Sequence, residues 1–250
     1  AQNPQQTTET NGTTKKNTVS AIKKDAKTDL SLTHLVRQAA SVSNNKTPLL
    51  LLLHGYGSNA KSMFQFSKVL DERFLILSVQ APMQIDEDGH KWYSIDFVEK
   101  NIVRNDEDIQ KSCGELRTFI KNLSTHFEFD ESQIYLMGFS QGAIMSLEIA
   151  LTQNENTPNI AGVVAMSGRI DDKLMGRLTN DKEALQKLSI LVTHGTTDNV
   201  IGIAEARNAK KILEQLPLEL KYKEYTNMPH TVSNECLKDV QNWITKQIDK

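Results

Sequence analysis

Gln133-Ile134-Tyr135-Leu136-Met137-Gly138-Phe139-Ser140-Gln141-Gly142-Ala143-Ile144-Met145-Ser146-Leu147 is the stretch whose reading decides the fold. Its first five residues form the short, mostly apolar run that a strand covered on both faces requires. From Gln141 the period changes, and Ala143, Ile144, Leu147, Ala150 and Leu151 recur at three-to-four spacing, a stripe that would pack a helix on a sheet. A strand, a tight turn between two glycines and a helix are read in direct succession.

The same alternation runs outward in both directions. Strands are predicted at Leu30 to Arg37, Leu49 to Leu53, Phe74 to Val79, Gln133 to Met137, Ile160 to Met166, Ile190 to Thr193 and Leu220 to Tyr225. Helices are predicted at Lys61 to Leu70, Asp106 to Phe127, Gln141 to Thr152, Ile203 to Leu216 and Glu235 to Ile248. Short apolar runs alternating with longer helical patterns specify an α/β domain with a mostly parallel sheet and helices on both faces. Gln80 to Asn105 shows no period, is longer than most connections, and carries Trp92-Tyr93.

The chain has 250 residues, enough for one domain with a sizeable core, which we place at residues 28–250. Residues 1–27 are dominated by Gln, Asn and Thr and offer almost no apolar surface, so they are read as a flexible polar tail. The chain begins Ala-Gln rather than Met, and a removed secretory signal is one account of this, so an exported protein is the expectation. With 29 basic and 31 acidic residues, the net charge of -2 excludes a nucleic-acid binder that relies on bulk positive charge. No apolar run approaches the roughly 18 to 20 residues needed to span a bilayer. Cys113 and Cys236 have neither zinc-ligand nor disulfide-framework spacing and are read as buried thiols on helices.

Gly138-Phe139-Ser140-Gln141-Gly142 fits Gly-x-Ser-x-Gly in the strand-turn-helix setting that a nucleophilic serine needs. A serine hydroxyl is a poor nucleophile until a base takes its proton, and the base needs an acid to orient its ring. Asp198 follows the strand Ile190 to Thr193, at the sheet edge where active sites form. His230 lies in Met228-Pro229-His230, between the last strand and the last helix. Of the other histidines, His34 and His126 fall in predicted elements and His90 in the long loop, while His54 and His194 precede glycines at strand ends and read as structural. Asp171 and Asp172 are the rival acids. Donors for an oxyanion are expected from the amide of Gln141 and from the loop His54-Gly55-Tyr56-Gly57-Ser58. That loop could also be read as a phosphate cradle, but no Gly-Lys-Ser/Thr or Gly-x-Gly-x-x-Gly follows it.

In this order, Leu-Leu-His-Gly-Tyr-Gly-Ser-Asn, Ala-Pro-Met with Trp-Tyr-Ser-Ile-Asp, Gly-Phe-Ser-Gln-Gly, Met-Ser-Gly-Arg, His-Gly-x-x-Asp-x-Val-Ile and Met-Pro-His-x-Val-Ser resemble the phospholipase/carboxylesterase branch of the α/β-hydrolases, which includes the acyl-protein thioesterases. The resemblance runs from about Leu30 to Ile248. It implies an α/β-hydrolase fold without a large lid domain, Ser140, Asp198 and His230 as catalytic triad, and the amides of Tyr56 and Gln141 as oxyanion hole. Tyr56 stands where many relatives have leucine, and Thr196-Thr197 replaces a more acidic approach to the aspartate. The expected activity is hydrolysis of small-molecule or lipid carboxylic esters of short to medium acyl length through an acyl-serine. The alternatives are a lysophospholipase, an acyl-protein thioesterase and, more remotely, a non-catalytic binding module on the same fold. No metal or organic cofactor is expected. From its place after the strand Phe74 to Val79, the Gln80 to Asn105 loop is expected to wall the acyl pocket with Trp92 as its main apolar surface, the alternative being that Trp92 packs the loop onto the body.

Overall fold

The computed structural model describes residues 30–40, 47–98, 101–153 and 157–250; residues 1–27, read above as a polar tail, lie outside them. In chain order the strands are β1 (His34–Arg37), β2 (Leu49–Leu53), β3 (Leu75–Val79), β4 (Met83–Gln84), β5 (His90–Lys91), β6 (Ile95–Val98), β7 (Asn101–Arg104), β8 (Ile134–Phe139), β9 (Ile160–Met166), β10 (Ser189–Gly195) and β11 (Glu219–Tyr225). The α-helices are α1 (Ala60–Phe64), α2 (Asp106–Leu123), α3 (Gln141–Leu151), α4 (Lys182–Lys187), α5 (Ile203–Leu213) and α6 (Asn234–Ile248). The central sheet has the order β1-β3-β2-β8-β9-β10-β11, with β1 antiparallel and the rest parallel. This is the mostly parallel sheet, helix-covered on both faces, that the alternation predicts.

The leucine run of β2 shows why the sheet is covered twice. Leu49, Leu51 and Leu53 enter the core built with α2, α3 and part of α5, whereas Leu50 and Leu52 enter the core built with α1 and α6. All five are fully buried, and each is worth about 1.5 to 3 kcal/mol relative to an exposed side chain. Helix α3 is buried along all of its residues, not on one stripe, because α2 covers the side turned away from the sheet. Cys113 sits in the first core and Cys236 in the second, so the two thiols are free and separated by the sheet.

Register aligns the carboxyl ends of the strands. Leu53 pairs with Gly138, Gly138 with Ala165, Met166 with Thr193, and Gly195 with Tyr225. The loops after β2, β8, β10 and β11 therefore leave from one edge, which is where parallel sheets place their sites.

Several predicted boundaries move for local reasons. Strand β1 begins at His34, not Leu30. The helix predicted to reach Leu70 stops at Phe64 and tightens into a 3-10 turn, Gln65–Lys68, because the Arg37 guanidinium takes the carbonyls of Ser67, Leu70, Asp71 and Phe74. Helix α2 ends at Leu123 rather than Phe127, where Thr125 and His126 turn their side chains onto the Asn122 carbonyl. Helix α4, six residues long, is too short to show a period. The aperiodic Gln80 to Asn105 segment contains two small antiparallel ribbons, β4 with β5 and β6 with β7. The first turn, at Asp88-Gly89, is closed by the Asp86 carboxylate accepting from the Asp88 and Gly89 amides.

Candidate active site

Ser140 follows β8 and stands at the N-cap position of α3 with φ 54° and ψ −115°, a left-handed-side conformation that non-glycine residues rarely hold. The flanking glycines make that turn feasible. A Cβ at Gly138 would lie 2.1 Å from the Gly142 carbonyl oxygen, and one at Gly142 would lie 2.0 Å from that of Leu53. The turn thus packs backbone to backbone against β2, with Ser140 at its tip.

His230 Nε2 is 3.0 Å from Ser140 Oγ, and His230 Nδ1 is 2.7 Å from Asp198 Oδ2. A carboxylate can only accept, so Nδ1 carries the ring hydrogen and Nε2 is left to accept from the serine hydroxyl. Asp198 is held from its other side, where Oδ1 accepts from the Val200 and Ile201 amides, both at 2.9 Å. Its carboxylate is wholly buried. The acid and base loops are fastened to each other through the Thr196 amide on the Tyr225 carbonyl, the Thr197 amide on the Met228 carbonyl, and the Asn227 amide on the Thr196 hydroxyl. The Thr196-Thr197 departure noted in the sequence therefore has a structural use. Gly195 is required there, since a Cβ would lie 1.9 Å from the Met228 carbonyl oxygen. Phe139 flanks the His230 ring at a centroid distance of 4.9 Å.

The remaining histidines sort by their partners. The His54 ring donates from Nδ1 to the Gly55 carbonyl and accepts the Ala81 amide at Nε2, which fixes a neutral tautomer; burial pushes its pKa down to about 4. His194 Nε2 lies 2.7 Å from the Ile201 carbonyl and 3.4 Å from Asp198 Oδ2, so it braces the acid from below. Asp171, the rival acid, instead lies 3.0 Å from Arg104 and caps the turn at Lys173.

The loop after β2 approaches the serine closely: a Cβ at Gly55 would lie 3.3 Å from Ser140 Cβ. Gly57, at φ 71°, turns the chain, and its amide is tied to the His90 carbonyl. Among the described residues, the amides of Tyr56 and Gln141 have no acceptor in the protein, and Gln141 opens α3, whose dipole favours negative charge at that end.

Two cavities meet at this point. One, of about 400 Å³, is lined by Tyr56, Tyr93, Ile95, Ser140 and Gln141 on one side and by Arg104, Ile144, Arg169 and residues 200–202 and 205 on the other. The second, of about 240 Å³, is mostly apolar, lined by Met63, Phe66, Phe139, His230 and Val232 together with Ser58, Ser62 and Thr231. Trp92 lines neither. Its side chain is fully buried, the indole N–H donates to the His54 carbonyl at 2.8 Å, and its backbone is gripped by the Gln141 amide group and the Ser112 hydroxyl. The expected Trp92 wall is thus corrected: Tyr93 and Ile95 form it, because Trp92 points beneath the loop to anchor it. Arg104 and Arg169 were not singled out from the sequence. Arg169 stood in the quoted Met-Ser-Gly-Arg, but nothing in its spacing marks where its side chain turns.

A serine, histidine and aspartate in a relay, with two free amides beside the serine, are what acyl transfer needs. The phospholipase/carboxylesterase family model matches residues 36–248. This chain belongs to that family. It is a carboxylesterase-type serine hydrolase with the α/β-hydrolase fold. Acyl-protein thioesterase 1 of Debaryomyces hansenii is 26% identical over 231 residues, covering 86% of this chain and 97% of its own. A probable carboxylesterase of Arabidopsis thaliana, described as SOBER1-like, is 23% identical and covers 89% of this chain and 86% of its own. Among solved structures, the Bacillus cereus carboxylesterase superposes with a TM-score of 0.72 at 22% identity, covering 88% of this chain and 96% of that one. Zea mays acyl-protein thioesterase 2 superposes with a TM-score of 0.71 at 20% identity, covering 86% and 98%. No described helix is long and apolar enough to cross a membrane.

Proposed function

We propose that Ser140 is the nucleophile, His230 the base and Asp198 its orienting acid, acting on carboxylic esters of short to medium acyl length. The observation that carries this is the unbroken relay from Ser140 Oγ through His230 to Asp198, at 3.0 and 2.7 Å. In the first step His230 takes the serine proton as Oγ attacks the carbonyl carbon, and the oxyanion rests on the amides of Tyr56 and Gln141. Protonated His230 then gives that proton to the departing alcohol, and the acyl-serine remains. A water deprotonated by the same ring releases the acid and restores the serine.

The proton path orients the ester. The leaving oxygen must face His230, so the alcohol departs toward the apolar cavity that His230 lines, and the acyl group lies in the larger cavity bordered by Ser140 and Gln141. Thioesters fit the same chemistry, and the acyl-protein thioesterases among the relatives favour that second reading. Against a long alkyl chain stand three charged residues in the acyl cavity, Arg104, Arg169 and Glu205. Nitrophenyl esters of increasing length, run beside a palmitoyl thioester and a lysophospholipid, separate the readings.

Ser140→Ala is expected to lower ester turnover by at least about a thousandfold without unfolding the chain. A fluorophosphonate should label wild type irreversibly at the peptide containing Ser140. Retention of more than about a tenth of wild-type turnover in the purified variant would end the serine-nucleophile reading.

A further inference from the structure

The acyl cavity carries two guanidinium groups beside an otherwise apolar wall. Arg104, from the second ribbon, and Arg169, from the loop after β9, both line it beside Tyr93, whose buried hydroxyl lies in the field of both. Each has one acidic neighbour: Arg104 Nε is 3.0 Å from Asp171 Oδ2, and Arg169 Nη1 is 3.1 Å from Glu205 Oε2. Neither neighbour uses the group up. The Arg104 contact lies off the N–H axis, so Nε of both arginines is buried without a hydrogen bond. Among the described residues, neither arginine makes a hydrogen bond through its terminal amino groups, Arg169 Nη1 having only the ion-pair contact with Glu205. Asp171 is not in the cavity lining, whereas Glu205 is there at its more exposed end. The cavity wall therefore presents two guanidinium groups and one carboxylate, with the Asp171 carboxylate set outside the lining against Arg104.

An arginine with unused donors in a partly dry cavity is poorly served by an alkyl chain, which would desolvate it and return nothing. A carboxylate or similar planar anion matches its donor fork and makes charge-assisted hydrogen bonds. Resting on the orientation argued above, we propose that the enzyme selects esters whose acyl part ends in an anionic group, a carboxylate in the simplest case, with Arg104 and Arg169 as the specificity-determining residues. The acyl half is then the monoester of a dicarboxylic acid, and the apolar cavity beside His230 takes a small uncharged alcohol. The chemistry at the carbonyl is unchanged: Ser140 is acylated, the alcohol leaves with the proton from His230, and water releases the diacid.

The test compares 4-nitrophenyl monoesters of succinate, glutarate and adipate with neutral isosteres in which the carboxylate is replaced by an isopropyl end. The enzyme-free rate is subtracted, because a neighbouring carboxylate can cleave its own ester. The quantity read is the ratio of kcat/KM for anionic over neutral substrate. At one or more of the three lengths, wild type should show a ratio of at least tenfold, and Arg104→Gln and Arg169→Gln should each lower it by about ten- to a hundredfold, the range of a hydrogen bond to a charged group. Glu205→Gln should move it the other way, upward by several-fold, because it removes the one carboxylate that repels the substrate. A merely structural role for the arginines would lower both rates together and leave the ratio still. A wild-type ratio at or below one at every length, a ratio unmoved in both arginine variants, or a fall in Glu205→Gln overturns the proposal. Turnover of the neutral isosteres with fluorophosphonate labelling of Ser140 would show that such a failure belongs to this selectivity and not to the hydrolase reading.

Discussion

Ser140 and His54 show how single residues are held in states they would not choose alone. The serine sits at φ 54° because the backbones of Gly142 and Leu53 meet under it, and His54 is neutral because both ring nitrogens are committed in a site with no exposure. The histidine has a thermodynamic consequence. Its folded pKa is about 4, below the ordinary 6.5, so between these values the unfolded chain binds a proton that the folded chain refuses. Stability from this group is therefore complete above about pH 6.5 and is lost progressively as the pH falls toward 4, by roughly 3 kcal/mol at most. His34, also lowered by burial, acts in the same direction. The melting temperature should fall across this window in wild type, and His54→Gln, less stable at pH 7, should show a flatter profile. An equal slope in the variant would clear His54 of the effect.

At the scale of elements, the segment between β3 and α2 does the work of a pocket wall without being a lid. It is bolted to the core by Trp92 and to the start of α3 by Gln141, whose side chain accepts from the Trp92 amide and donates to the Tyr93 carbonyl. The Gln of Gly-Phe-Ser-Gln-Gly thus ties the nucleophile turn to the wall in front of it. Trp92→Ala should cost about 3 to 5 kcal/mol and depress all substrates alike, since its side chain reaches no cavity. Tyr93→Ala or Ile95→Ala should instead change the relative turnover of acyl lengths by a few-fold up to about a hundredfold. Melting curves beside an ester series decide this: a length-selective effect from Trp92→Ala would return it to the pocket.

Over the whole molecule, one sheet separates two cores, and each core holds one cysteine. Burial pushes the Cys113 thiol up to about 12 and raises that of Cys236 as well, so neither is a thiolate near neutrality. An aromatic disulfide reagent should find neither thiol in the native state, and both should react with the rate constant of global unfolding in denaturant. Rapid native labelling of one thiol would reveal a face that opens independently of the other. The same two-faced construction explains what was hard to read. The sequence pattern located every strand of the main sheet, the inner ones through their apolar runs, whereas β11 at the edge is half-exposed and carries charged residues between its apolar ones. The ribbons at Met83–Gln84 with His90–Lys91 and Ile95–Val98 with Asn101–Arg104 were missed because strands this short have little room for a period, and no glycine stands in the sequence between the second pair.

The amino-acid order alone was enough for the alternating α/β architecture and for which serine, aspartate and histidine to look for, since these follow from local chemistry: a glycine-flanked turn, apolar runs, and loop residues in a particular chain order; the family followed from the resemblance of its ordered motifs. Only the tertiary structure decided which side chains share a cavity. Trp92 and Tyr93 are neighbours in the chain, yet one turns under the wall and the other lines it, a choice made by the His54 carbonyl and the Gln141 side chain waiting 38 to 49 positions away. Arg104, at the end of β7, and Arg169, on the loop after β9, line one cavity beside Ser140 only because the parallel strands deliver the segments that follow them to a single edge. Direction and burial of a side chain are properties of what packs around it, and no spacing along the chain encodes them.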